Sequence, residues 1–270
     1  MSRHAVTITP RNPRLSWQDG RQRHWFGGSP LKSNWMNALS TTFPAAERFF
    51  IDSVRHYQDR ITDPELAAQV KGFIGQEAAH GNEHHRFNEL LAADGYPAAE
   101  MEAKVGRIFD WVRQNPDPEV KLALTCALEH FTTILCTEVL RSPIFNEPMQ
   151  GEYKRLWCWH CLEEIEHKSV AYDVYQAIGG SYRKRVVEMV HASLALWPLL
   201  ASIMFRYQRH DRRLYSLRDW WTLLTWGFIW PGLITRLVPH YFAYFKKSYH
   251  PSEMHRQDLI DKWRERLAFG

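Results

Sequence analysis

Residues 157–168 read Trp-Cys-Trp-His-Cys-Leu-Glu-Glu-Ile-Glu-His-Lys, and within them His160, Glu164 and His167 recur at offsets of four and three. A helix turns about 100° per residue, so side chains spaced this way lie within about 60° of one another and reach a common point. Upstream, Glu77-Ala-Ala-His80 repeats the pair, and His84 extends it by one turn in the other direction. Two further glutamates stand where apolar residues belong. Glu47 shares its helical stripe with Phe43, Phe50, Ile51 and Val54, and Glu129 shares its own with Leu122, Cys136 and Leu140. A carboxylate among such neighbours persists only when it is paired with a cation or coordinated to a metal. The order Glu47, Glu77/His80, Glu129, Glu164/His167 is an internal duplication, which carries more weight than either short motif alone. Glu163 lies on the same arc as His160 and His167, so helix geometry leaves Glu163 and Glu164 both open.

Around these residues the hydrophobic period is helical and strand alternation is nearly absent. Long helices are predicted at 34–60, 64–93, 117–141 and 148–178. Asp63-Pro64-Glu65 and Asp117-Pro118-Glu119 each place a capping acid before a first-turn proline. Asp94-Gly95-Tyr96-Pro97 ends the second helix, and a shorter helix at 98–114 lengthens the middle connection. The predicted fold is all-α: a four-helix bundle of the ferritin-like kind, two helix pairs joined by one long crossover. Residues 1–33 form an N-terminal arm with a short strand expected at Ala5–Thr9, residues 34–180 the bundle, and residues 181–270 a helical, Trp-rich appendage.

Composition narrows the function. Of 270 residues, 45% are hydrophobic and 24% charged, which excludes disorder for most of the chain. A net charge of +4 without a basic arm argues against nucleic acid. Four cysteines and an N-terminal stretch without an apolar leader predict a reduced, cytoplasmic setting. Residues 186–205 and 220–235 are apolar and rich in tryptophan, and Arg206–Asp219 between them holds five arginines against two aspartates. This tail suits peripheral membrane contact through 186–235, a homodimer interface, or a lid over an apolar channel. A mean hydropathy of -0.44 argues against an integral membrane protein.

Over residues 34–178 the pattern resembles the ferritin-like di-iron and di-manganese carboxylate proteins. The resemblance implies two divalent ions bridged by Glu77, Glu164 or both, each with one histidine and one terminal glutamate; four carboxylates then offset two dications. The His-x-x-x-Glu-x-x-His pattern is similar to that of the aminoarene N-oxygenases, which gives His160 the role of a third imidazole ligand and favours Glu164 over Glu163. His84 has no counterpart there and is either an outer partner or an additional ligand. The implied chemistry is oxygen activation by iron, manganese or a mixed pair, with O₂ as co-substrate, an external electron donor or reductase, and an apolar or aromatic small-molecule substrate. Thr133, one turn after Glu129, or its neighbour Thr132, becomes a candidate for proton delivery, against the ordinary role of a threonine bonded to its own preceding turn. Along most of its length the chain also resembles a bacterial family known as predicted metal-dependent hydrolases, which implies Lewis-acid hydrolysis as the alternative. A non-catalytic metal-binding protein is the third reading. Cys158 and Cys161 are expected as core thiols, and Tyr172, Asp173 and Tyr175 chiefly as packing residues.

Overall fold

The computed structural model describes residues 8–17, 22–254 and 256–267, and among them the chain is all-α, with an isolated Phe26–Met149 bridge and no strand. Residues 5–7 of the expected strand lie outside the described residues, and Ile8 and Thr9 are not extended in a ladder. Helix α1 spans Pro30–Arg55, starting earlier than its apolar pattern because Ser29 caps the N–H of Lys32 ahead of a proline at N1. A 3-10 turn at Gln58–Arg60 follows it. Helix α2, Pro64–Ala93, matches its predicted span, with Asp63 accepting from the Glu65 N–H. Helix α3 is Ala98–Arg113, and α4 is Pro118–Arg141 with Asp117 as its cap. Beyond α4 a short α5, Pro143–Asn146, turns Asn146 Nδ2 onto the carbonyls of Val139, Leu140 and Ser142. That satisfies the open C-terminal carbonyls of α4.

The fourth predicted helix is two helices. Helix α6 runs Gly151–His167 and α7 Val170–Ala177, with the break immediately after His167 and the new helix restarting as Asp173 N–H donates to the Ser169 carbonyl. Helices α1 and α2 pack together, as do α4 and α6, and α1–α4 and α2–α6 contacts close the ring. The space they enclose is the site of the misplaced acids.

The remaining chain covers this ring. Helix α8, Tyr182–His210, lies on α4 and α1 with Pro198 inside it. Helix α9, Leu217–Leu223, runs into a π turn at Leu224–Phe228, and α10, Leu233–Ala243, packs on α4. Helix α11, Gln257–Leu267, returns to α6 and reaches the end of α4, where Trp263 Nε1 donates to the Leu140 carbonyl at 3.1 Å. At the other end of the chain, Ile8 and Pro10 lie so close to α2 that a Cβ at Gly72 or Gly75 would sit 2.5 Å from the Ile8 carbonyl or 2.4 Å from Pro10 Cγ. Glycine at those two positions is what lets the N-terminal segment press against α2.

Candidate metal centre

Four helices deliver seven side chains to one buried volume: Glu47 from α1, Glu77 and His80 from α2, Glu129 from α4, and His160, Glu164 and His167 from α6. None is more than 3% exposed. Three overlapping trios each bring ligand atoms within 4.8 Å of one another: Glu47–His80–His160, Glu77–His80–Glu164 and Glu77–Glu129–His167. Glu164 is the hub. Its Oε1 lies 3.6 Å from His80 Nδ1, 3.5 Å from His160 Nε2 and 3.5 Å from His167 Nε2. Glu77 Oε1 is 3.1 Å from His167 Nε2, and Glu129 Oε2 is 3.6 Å from the same nitrogen.

The inward atoms have no other partner. Both oxygens of Glu47, Glu77 and Glu129, Oε2 of Glu164, Nδ1 of His80 and Nε2 of His160 and His167 are buried without a hydrogen bond. So many orphaned acceptors in one place would be costly unless a cation occupied the space between them. The donor set fits two divalent ions in charge as well, since four carboxylates balance two dications.

Each imidazole is oriented by a bond from its other nitrogen. His167 Nδ1 faces Gln76 Oε1 at 2.9 Å, while the Gln76 amide donates to the Thr9 carbonyl and to Glu166. His80 Nε2 faces Glu163 Oε2 at 3.1 Å, and Glu163 Oε1 accepts from the backbone and guanidinium of Arg11. His160 Nδ1 meets His84 Nε2 at 3.1 Å, and His84 Nδ1 meets Ser40 Oγ at 2.9 Å. That last chain has one consistent direction. Asn88 Nδ2 donates to Ser40 O and Glu102, so its Oδ1 accepts from the Ser40 hydroxyl. Ser40 Oγ then accepts from His84 Nδ1–H, leaving His84 Nε2 to accept from His160 Nδ1–H. His160 Nε2 is left with its lone pair facing Glu164. Outer partners of this kind fix tautomer and ring angle in metal sites.

The same network places the two residues that helix geometry left open. Glu163 turns outward to Arg11 and His80, and Glu164 turns to the centre. His84 belongs to none of the three trios: its Nδ1 meets Ser40 and its Nε2 meets the outer nitrogen of His160, which makes it an orienting partner of that ring. Thr133 is buried on α4 with its hydroxyl unpartnered, so the ordinary back-bond to its own turn is not formed; Thr132 makes that bond, to the Glu129 carbonyl. The cysteines are free and buried. Tyr172 donates to the Tyr249 carbonyl, Tyr175 to the Ser181 carbonyl, and Asp173 accepts from His250; none of the three joins the trios.

Electrostatics show how poorly the acids tolerate one another. Burial, then mutual repulsion with Glu77 and Glu164, pushes Glu47 far above the usual carboxylate range, and burial with Glu164 and Glu77 does the same to Glu129. Burial raises Glu77 to about 7 against the pull of His167. Burial would also raise Glu164, but the charge and hydrogen bond of His167, itself raised despite its burial well above its ordinary value by Glu164 and Glu77, outweigh it and hold the carboxyl at about 2. Burial lowers His80 to about 3 and His160 well below its ordinary value. Both histidines therefore stay neutral, the form that binds metal.

Sequence reasoning did not find the outer layer of Arg11, Gln76, Glu166, Ser40 and Asn88. Gln76 and Glu166 sit next to ligand candidates in sequence, yet their use depends on what packs against them. Arg11, from the N-terminal segment, makes a two-armed ion pair with Glu166, and Arg264 of α11 approaches the same carboxylate at 2.7 Å. Beside the centre lies an apolar cavity of about 680 Å³ between α1, α3, α4 and α8. Ala46 and Leu128, adjacent in sequence to Glu47 and Glu129, line it, as do Phe43 and Thr132.

Among the described residues, an all-α fold gathers four carboxylates and three oriented imidazoles in a buried core, a donor set that could hold metal ions. The chain belongs to the family described as "Predicted metal-dependent hydrolase", which it matches over residues 9–255. Comparison with curated proteins and with solved structures gives no match.

Proposed function

We propose that this member of a metal-dependent enzyme family is a ferritin-like, dinuclear oxidoreductase that uses O₂ on an apolar small molecule. Glu47, Glu77, His80, Glu129, His160, Glu164 and His167 would hold the ions. The observation that carries the reading is the convergence of unpartnered carboxylate oxygens and imidazole nitrogens on a single buried volume. Mixed carboxylate and imidazole donors suit iron first and manganese or a mixed pair next, and such ions supply the electrons that O₂ requires. The chain's own residues do the rest. Gln76, Glu163 and His84 hold the three rings at fixed angles. Burial excludes water, the cavity beside Ala46 and Leu128 binds the apolar substrate, and the free hydroxyl of Thr133 can hold a proton on the Glu129 side. Electrons for repeated turnover come from an external reductase.

The second reading is hydrolysis, with the ions polarising an ester or phosphoryl oxygen. The family description favours it over oxidation, and the oxidative reading rests on the donor set alone. One experiment separates the two. Protein loaded anaerobically with Fe(II) and given a chemical reductant consumes O₂ in proportion to bound iron if the first reading is right. Hydrolysis instead predicts cleavage of an ester or phosphodiester panel under nitrogen with a redox-inert metal, and no iron-dependent O₂ uptake.

A further inference from the structure

The covering helices break the usual rule for surfaces. Leu194 of α8, Trp221 of α9, Phe228 and Trp230 around the π turn, and Val238 and Phe242 of α10 are each between 44% and 71% exposed. They belong to adjoining elements. The Ser193–Tyr241 hydrogen bond ties α8 to α10 next to Leu194 and Phe242, and the π turn packs on α10. Helix α8 contains an 18-residue window of mean hydropathy 1.6 of which 28% is buried, whereas the comparable window in α4 is 78% buried in the core. Exposed apolar residues gathered on adjoining helices mark something that covers them.

Charge selects the occupant. Arg209, Arg212 and Arg218 flank the apolar residues and are exposed, and Lys246 and Lys247 follow α10. The acids in the same region are already neutralised: Asp211 by Arg23 with His24 and Asn34, and Asp219 by Arg213. The rim is therefore basic. A two-fold pair of chains through this face would bring basic rim onto basic rim, whereas a bilayer with anionic headgroups complements it. Tryptophans at the edge of an apolar strip suit the headgroup level of a membrane. The lining of the 680 Å³ cavity includes exposed residues beside this face, His191 and Ala195 of α8, one turn or less from Leu194, together with Trp111 of α3.

We propose that the exposed face of α8, α9 and α10 docks on the surface of an anionic lipid bilayer, bringing the exposed lining of the cavity to the membrane. The docking goes beyond the proposed chemistry and does not depend on it, because binding needs neither metal nor turnover.

The test is co-sedimentation of the full-length protein with phosphatidylcholine vesicles, with and without phosphatidylglycerol. The expected result is partition onto the anionic vesicles that weakens as salt rises. Trp221→Glu with Trp230→Glu, or Leu194→Glu, should lower partition at least tenfold with the circular-dichroism spectrum unchanged. Should those variants misfold, Arg209→Gln, Arg212→Gln and Arg218→Gln serve instead, each expected to cost about fivefold and to flatten the salt dependence. No binding to either vesicle by the wild-type chain overturns the proposal. So does equal binding of the arginine variants, or a solution dimer that Leu194→Glu splits.

Discussion

The ring of α1, α2, α4 and α6 and the covering helices α8–α10 break the inside–outside rule in opposite directions. The first holds Glu47, Glu77, Glu129, Glu164, His80, His160 and His167 at 3% exposure or less; the second leaves Leu194 and Trp230 each 71% exposed. Both arrangements cost free energy in the isolated chain, one through desolvated charge and the other through wetted apolar surface. Each therefore points to a partner that is not polypeptide. For the buried acids we propose a pair of cations, and for the exposed tryptophans a bilayer.

The largest effect should come from breaking the inner exception. Ions at 1,000 times their dissociation constant stabilise a folded chain by about 4 kcal/mol. Metal loading should then raise the melting temperature by on the order of 10 °C for a chain of this size, read by scanning calorimetry with and without chelator. In Glu164→Ala, which removes the hub, that metal-dependent rise should collapse and the bound-metal content should fall. An undiminished rise would separate Glu164 from the centre.

Next comes the clamp between the two regions. Asp211, at the end of α8, accepts from Arg23, His24, Asn34 and Tyr96. Burial alone would raise its pKa, but those hydrogen bonds and the charge of Arg23 outweigh it and hold the carboxyl at about 2. The folded value is depressed, so its stabilisation is complete above the unfolded value near 3.8 and is lost as pH falls toward 2. Asp211→Ala should cost about 2–3 kcal/mol at neutral pH and remove that part of the acid dependence, as measured by urea denaturation across pH. A variant as stable as the wild type at neutral pH would show the covering helices to be held by packing alone.

A smaller effect should separate the neighbours Glu163 and Glu164. Glu163→Gln and His84→Phe disturb the bonds that orient His80 and His160 and should weaken metal affinity by about 10- to 100-fold without abolishing it. Equal loss in Glu163→Gln and Glu164→Gln would reject the assignment of inner and outer roles. Smallest of all, Trp221→Glu should change stability by less than about 0.5 kcal/mol, because that side chain is 62% exposed.

The all-α class and the acids out of place on apolar stripes are legible for one reason. A helix imposes a fixed angular period, so an acid on an apolar stripe is visible without a structure, and Asp-Pro-Glu starts fixed α2 and α4 to within a residue. The break after His167 was not legible, since 148–178 keeps its period across Lys168 and Ser169 while the chain turns. Nor was the outer layer. Gln76, Ser40 and Asn88 are ordinary polar residues, and their part is set by which helix packs beside them. The choice between Glu163 and Glu164 belongs to the same class: both share an arc with the histidines, and Arg11, more than 150 residues earlier, draws one of them outward.

The most direct test is an anomalous-scattering map of a crystal of the metal-loaded protein. The account predicts two peaks between α1, α2, α4 and α6, with Glu164 and the inward nitrogens of His80, His160 and His167 bound to them. A map with no peak there, with a single ion, or with ions held elsewhere on the chain would contradict it.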